Sequence, residues 1–188
     1  ASDVYKRQTE FYETRYAQGY MDDWPLFKKQ RVFEIVRRLP LPTSGIALDF
    51  GCGNGVFTEV LRQALGPSWA VVGTDVSRLA LEQARARYPS CRFVEADQLA
   101  AQKFDFFFSH HVLEHVFDLP VALSRLDLVL APEAKGLHIL PCGNEGSFEH
   151  WLASLRRDGI DSAQGNRFFH DDEGHLGRLT TQDLRLLY

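Results

Sequence analysis

Five short apolar runs, at 45–50 (GIALDF), 69–75 (WAVVGTD), 91–97 (CRFVEAD), 103–109 (KFDFFFS) and 135–141 (KGLHILP), alternate with stretches whose apolar residues recur at helical spacing. Runs apolar on both sides, separated by helices rather than tight turns, are the pattern of a parallel sheet buried on both faces with right-handed crossovers. The chain is therefore expected to be an α/β protein with a doubly wound, mainly parallel sheet. In 56–66 (VFTEVLRQALG), Val56, Val60, Leu61 and Leu65 share one helical face, closed by Gly66. The helix beginning near 78 has Ser77 as its N-cap, and 120–130 (PVALSRLDLVL) supplies another crossover. Ahead of the first run, 9–39 carries helical periodicity broken around MDDWP, where Pro25 suits the first turn of a second helix. Two helices are expected before the sheet.

With 188 residues, 45% of them hydrophobic, the chain has material for one core. We divide it into an N-terminal helical segment, 1–40, and a main domain, 41–188. Within the main domain 142–178 loosens into one helix near 148–155 and polar, glycine-punctuated loop, which reads as a substrate-side insertion. The opening ASDVYKRQ (1–8) reads as adapter-derived rather than native. At the other end DLRLLY lies inside an amphipathic helix, capped by Thr180 or Thr181 with Leu184 and Leu187 on its apolar side. The chain is thus read as truncated at both ends, its fifth strand, 136–141, left as a sheet edge prone to aggregation.

A formal net charge of −4 disfavours a nucleic-acid substrate, since no basic field gathers phosphates. Cys52, Cys91 and Cys142 are scattered and form no C-x-x-C pair, as reduced thiols in a cytoplasmic protein would be. No apolar run approaches the ~18 residues of a membrane span, and no signal segment follows the N-terminal basic residues. A soluble, cytoplasmic protein with no membrane partner is the expectation.

In a doubly wound sheet, ligands bind beyond the carboxyl ends of the strands at the topological switch point, so the first four tips are read as one site. At the first tip, DFGCGNG (49–55), Gly51, Gly53 and Gly55 let the backbone turn tightly and approach a ligand. The spacing departs from a dinucleotide fingerprint, and Asp49 just before the loop would sit badly beside a pyrophosphate. It suits a cation, such as the ammonium or sulfonium of S-adenosyl-L-methionine. Asp75, at the second tip, can accept both hydroxyls of a ribose. Asp97, in EADQL at the third, can accept from an adenine amine, with Ala96 and Gln98 beside it.

Taken in order, ALDFGCGNGVFTEVL, VVGTDVS, FVEADQL and FDFFFSHHVLEHV resemble successive motifs of the class I S-adenosylmethionine-dependent methyltransferases, over residues 45–141. The resemblance implies a Rossmann-like sheet in the order 3-2-1-4-5 and methyl transfer to a small-molecule acceptor, with release of S-adenosylhomocysteine. It also implies that Asp49 and the three glycines border the methionine portion, Asp75 the ribose and Asp97 the adenine. Cys52, Val76, Ala96, Gln98, Ser109 and His110 complete the expected cofactor lining. A module that holds the cofactor without turnover is the alternative.

The fourth tip, HHVLEHV (110–116), also contains H-x-x-E-H, a zinc-peptidase signature formed by His111, Glu114 and His115. That reading needs one continuous helix and a third ligand, whereas FDFFFS directly before it argues for a strand end. In the family resembled, this place often reads S-E-V-L-E-H-V, so Leu113 to Val116 agree and His110 and His111 depart. His110, His111 and His115 are the candidates for touching cofactor or acceptor, where a neutral histidine can remove a proton; Glu114 is read as shaping the turn, and no metal is expected. Tyr12, Tyr16, Tyr20 and Trp24, at four-residue intervals, form a core-facing stripe, with a lid role open to Tyr16 or Tyr20. The acidic cluster His170, Asp171, Asp172, Glu173 and His175 reads as a solvated entrance loop.

Overall fold

In a computed structural model of the chain, the described residues are 2–116, 118–142, 144–151, 160–161, 167–168 and 179–187. The elements are α1 (Ser2–Ala17), α2 (Leu26–Arg38), β1 (Gly45–Phe50), α3 (Val56–Leu65), β2 (Trp69–Thr74), α4 (Arg78–Arg87), β3 (Arg92–Val94), β4 (Phe104–His110), α5 (Leu119–Asp127), β5 (Leu130–Ile139), β6 (Ile160–Asp161), β7 (Arg167–Phe168) and α6 (Thr181–Leu187). Two 3₁₀ segments, Ala96–Ala101 and the single turn Leu113–His115, follow β3 and β4.

Strands β1 to β5 form one sheet in the order β3-β2-β1-β4-β5, as expected, with β1–β2, β1–β4 and β2–β3 parallel. Phe106, Phe107 and Phe108 lie opposite Ala47, Leu48 and Asp49. With Phe104 they are almost completely buried, which is why the fourth run tolerates no polar alternation. Helix α3 packs on β2 and α2, and α4 on β3 and α1. The chain divides into two compact units, Ala1–His110 with Leu126–His138, and His111–Arg125 with Ile139–Tyr188.

Sequence and structure differ in three places. The fifth strand begins at Leu130 rather than near 135, because α5 stops at Asp127. Pro132 cannot continue a helix and biases its predecessor toward extended backbone, while the outer strand of a sheet tolerates the missing N–H. Strand β3 spans only Arg92–Val94, the chain turning at once into the 3₁₀ segment that carries Asp97. Within 142–178 residues 148–151 are helical as expected, but a two-stranded antiparallel ribbon, β6–β7, also forms. Residues 152–155 lie outside the described residues, as does the whole 170–175 acidic cluster. Among the described residues no helix is long and apolar enough to cross a membrane.

Candidate functional site

The glycine loop is stitched to the tip of β2. The N–H groups of Gly51 and Cys52 both donate to the Thr74 carbonyl, at 2.8 and 2.9 Å, and Gly53 N–H donates to Asp75 Oδ2 at 2.9 Å. Three successive N–H groups are thereby committed within the protein, so the loop is no anion nest of the kind that cradles a pyrophosphate. Gly51, Gly53 and Gly55 all have positive φ, and Gly55 starts α3 in left-handed backbone. A Cβ on Gly55 would meet the Phe93 ring at 2.7 Å, and one on Gly53 would meet the Tyr16 hydroxyl at 2.6 Å. Asn54 is buried, its amide donating to the Met21 and Asp22 carbonyls.

Two acids flank this loop. Asp49, 2% exposed at the end of β1, accepts a 2.6 Å hydrogen bond from Thr58 in the first turn of α3. Burial pushes its carboxyl up to about 7 against the Thr58 hydrogen bond, and the charge of Asp75 pushes the same way. Burial also raises Asp75, opposed by backbone donors at Ser77, Gly53 and Val76. Each Asp75 oxygen bonded to the backbone keeps a second lone pair for a ligand hydroxyl. Val76 beside it is half exposed. Ala96, Asp97 and Gln98 sit on the 3₁₀ turn after β3 and are exposed. The set suits a ligand that brings a cation and a diol and no phosphate.

At the end of β4 the histidines part company. His110 remains in the strand, and its ring is packed against Phe57 (centroids 4.0 Å apart), Trp24 (4.7 Å) and Phe108 (6.4 Å). His111 turns out of the strand with φ +54°. Its Nδ1 lies 3.1 Å from Glu114 Oε1, and His115 Nε2 lies 3.9 Å from the same oxygen. His111, Glu114 and His115 therefore occupy a left-handed residue and a single 3₁₀ turn, not the continuous helix of a zinc peptidase. Among the described residues no three such side chains are arranged to hold a metal, and nothing supports the zinc alternative.

Residues 48–135 match the methyltransferase domain family. This stretch is a methyltransferase domain. A trans-aconitate 2-methyltransferase from Variovorax paradoxus is 38% identical over 104 residues, 53% of this chain and 39% of that protein. An uncharacterized methyltransferase from Schizosaccharomyces pombe is 28% identical over 132 residues, 65% of this chain and 49% of that protein. The chain thus spans less than half the length of these relatives. Among solved structures, DhpI, in a SAM–HEP complex, superposes with a TM-score of 0.63 at 18% identity, covering 96% of this chain and 86% of that one. YcgJ from Bacillus subtilis gives 0.61 at 15% identity, with 84% and 66% covered. At these identities the structures speak to the fold.

Three residues, Thr58, Glu13 and His138, are not marked by any motif in the sequence. Thr58, which bonds Asp49, sits in a helix whose apolar spacing drew attention elsewhere. Glu13 of α1 accepts from the Arg78 and Leu79 N–H groups at the start of α4, at 2.7 and 3.4 Å. Tyr16, a member of the aromatic stripe for which a lid role is open, is buried against Gly53, and the Gln83 amide reaches its carbonyl. His138 of β5 places Nδ1 2.8 Å from the hydroxyl of Ser109, itself 1% exposed on β4. A histidine inside an apolar run was the one signal available for it.

Proposed function

We propose that this chain binds S-adenosyl-L-methionine, transfers its methyl group to a small-molecule acceptor and releases S-adenosylhomocysteine. The observation that carries the reading is a pair of acids, the buried Asp49 and the partly buried Asp75, around a glycine loop whose leading N–H groups are already committed. The N–H groups of Gly51, Cys52 and Gly53 are not available to a phosphate, while the acids offer charge for an ammonium or sulfonium and acceptors for a ribose. When bound, the cofactor supplies a methyl group on an electrophilic sulfonium.

The chain's own residues bind, orient and exclude water. Asp49, Gly51, Cys52, Gly53 and Gly55 border the methionine portion, and Asp75 with Val76 takes the ribose. Ala96, Asp97 and Gln98 take the adenine, and Ser109 and His110 complete the lining. Methyl transfer is an in-line displacement, so alignment supplies much of the acceleration. Residues 1–40 act as helical cover, 41–188 as the methyltransferase domain and 142–178 as its acceptor-side segment. A net charge of −4 favours a small molecule over a nucleic acid, and three free cysteines suit a cytoplasmic protein.

Calorimetric titration with S-adenosylhomocysteine tests the reading: saturable binding by the wild type, lost in Asp75→Ala, is expected. Absence of binding by folded protein, or an unchanged affinity in the variant, would overturn it. Binding without methyl transfer to any acceptor would leave the non-turnover module instead.

A further inference from the structure

Helix α2 carries five cations and one acid in a chain whose net charge is −4. One side of it serves the fold: Val32 and Val36 are buried, and the helix packs on α3. Its two lysines are occupied as well, Lys28 Nζ lying 4.7 Å above the Trp24 ring and Lys29 Nζ 3.0 Å from Asp23 Oδ1. On the other side Phe27, Arg31, Glu34 and Arg38 follow one another at helical spacing, flanked by Leu26 and Arg37, and all six are exposed. Leu26 and Phe27 are each 66% exposed, side by side at the start of the helix. One exposed apolar residue is ordinary, but two large ones at the end of a basic row mark a contact surface. Every cation on this face is an arginine, whose fork matches the oxygens of a phosphate group, and only Glu34 opposes them there, 3.8 Å from Arg31.

We propose that this face of α2 docks the protein on an anionic lipid surface, with Leu26 and Phe27 entering the boundary of the acyl chains and Arg31, Arg37 and Arg38 meeting headgroup phosphates. A helix of 13 residues is about 20 Å long, so lying flat it brings the apolar start and the arginine end to the same leaflet. It rests on the surface and does not cross it, being neither long nor apolar enough to do so. The expectation of no membrane partner rested on the lack of a spanning segment, which surface docking does not need. Charge complementarity selects the occupant. A bilayer offers a fluid array of phosphates to a convex helix face, whereas a protein partner would have to supply pockets for Leu26 and Phe27 together with acids for the arginines. Because the rest of the chain is net acidic, the pull of an anionic surface falls on this helix and orients the protein. The proposal is independent of the cofactor reading.

Cosedimentation of the full chain with vesicles tests it. Phosphatidylcholine vesicles containing roughly 40% phosphatidylserine should bind the protein about 10-fold more tightly than phosphatidylcholine alone, and the binding should weaken as salt is raised. Arg37→Gln combined with Arg38→Gln should lose most of that preference. Leu26→Ser combined with Phe27→Ser should weaken binding to the anionic vesicles by about 10-fold. All four positions are exposed, so both double variants should keep the wild-type melting temperature and the wild-type S-adenosylhomocysteine titration. Absence of binding to anionic vesicles, equal binding to neutral ones, or binding that survives both double variants overturns the proposal. Retention on polyglutamate without vesicle binding would give the face to an acidic protein. Self-association lost in the Leu26→Ser, Phe27→Ser variant, again without vesicle binding, would give it to a second copy of the chain. Either result overturns the lipid assignment.

Discussion

The Tyr16 hydroxyl stands 2.6 Å from the point where a Cβ on Gly53 would lie, so the first helix closes directly over the middle of the glycine loop. Gly53 has φ +53°, and Gly53→Ala therefore combines backbone strain with a steric clash. The expected loss is roughly 1–3 kcal/mol of stability, with weaker S-adenosylhomocysteine binding. Adding Tyr16→Phe removes the clashing oxygen and should restore part of both. Denaturant unfolding of the two single variants and the double variant checks this; strict additivity of the losses would mean that the Tyr16 contact is not the cause.

Ser77 links the ribose-side acid to the helix behind it. Its N–H donates to Asp75 Oδ1 at 2.9 Å, while its hydroxyl accepts from Ala80 N–H at 3.1 Å, fully buried. Ser77→Ala leaves that N–H without a partner and should lower stability by about 1 kcal/mol. The backbone donors to Asp75 survive the substitution, so affinity for S-adenosylhomocysteine should change far less than in Asp75→Ala. Urea unfolding beside calorimetry separates the two effects, and a loss of binding as large as that in Asp75→Ala would refute the separation.

Punctuation explains what could be read from the sequence. The loop DFGCGNG ends β1 at Phe50 and opens α3 at Val56, and both bounds agree with the reading because glycine conformations admit few alternatives. Thr180 caps the last helix reciprocally with Asp183, its hydroxyl taking the Asp183 N–H and its own N–H reaching Asp183 Oδ2. Contacts between distant segments were not legible. Nothing local tells that Tyr16 will cover Gly53, or that His138 will face Ser109, since both depend on which strands and helices become neighbours. His110 and His111 look alike as letters. They differ because one keeps the strand conformation and packs among aromatic rings, while the next turns left-handed toward Glu114.

Asp49 gives the unliganded protein an unusual pH dependence. Its carboxyl titrates at about 7 when folded against an ordinary 3.8, chiefly because it is buried. Between those values the folded state holds a proton that the unfolded state has released, so the contribution of this group to stability falls as pH rises through the window and is level above it. Asp49→Asn should remove this contribution, worth roughly 2–4 kcal/mol at full extent, and the change is read in a His138→Gln background. Thermal unfolding from pH 4 to 8 with and without S-adenosylhomocysteine checks it. In the His138→Gln background a ligand that brings a cation to Asp49 should flatten the slope, whereas an equal slope with and without Asp49→Asn would dissociate it from this residue.

His138 acts in the opposite direction, and the two must be separated to read either. Burial lowers its imidazole from 6.5 to about 4. Within that window the unfolded state takes up a proton that the folded state refuses, so this group removes stability as pH falls. Below about 6.5 the Asp49 and His138 contributions therefore partly cancel, and a nearly flat wild-type profile is expected there. His138→Gln keeps a hydrogen-bonding partner for the Ser109 hydroxyl without a titrating ring. It should be relatively more stable on the acid side by roughly 1–3 kcal/mol, exposing the Asp49 slope. Nuclear magnetic resonance titration of His138 in the wild type is the direct check. A ring that gains its proton near pH 6.5 would show that the Ser109–His138 pair is open to water and that the cancellation does not occur.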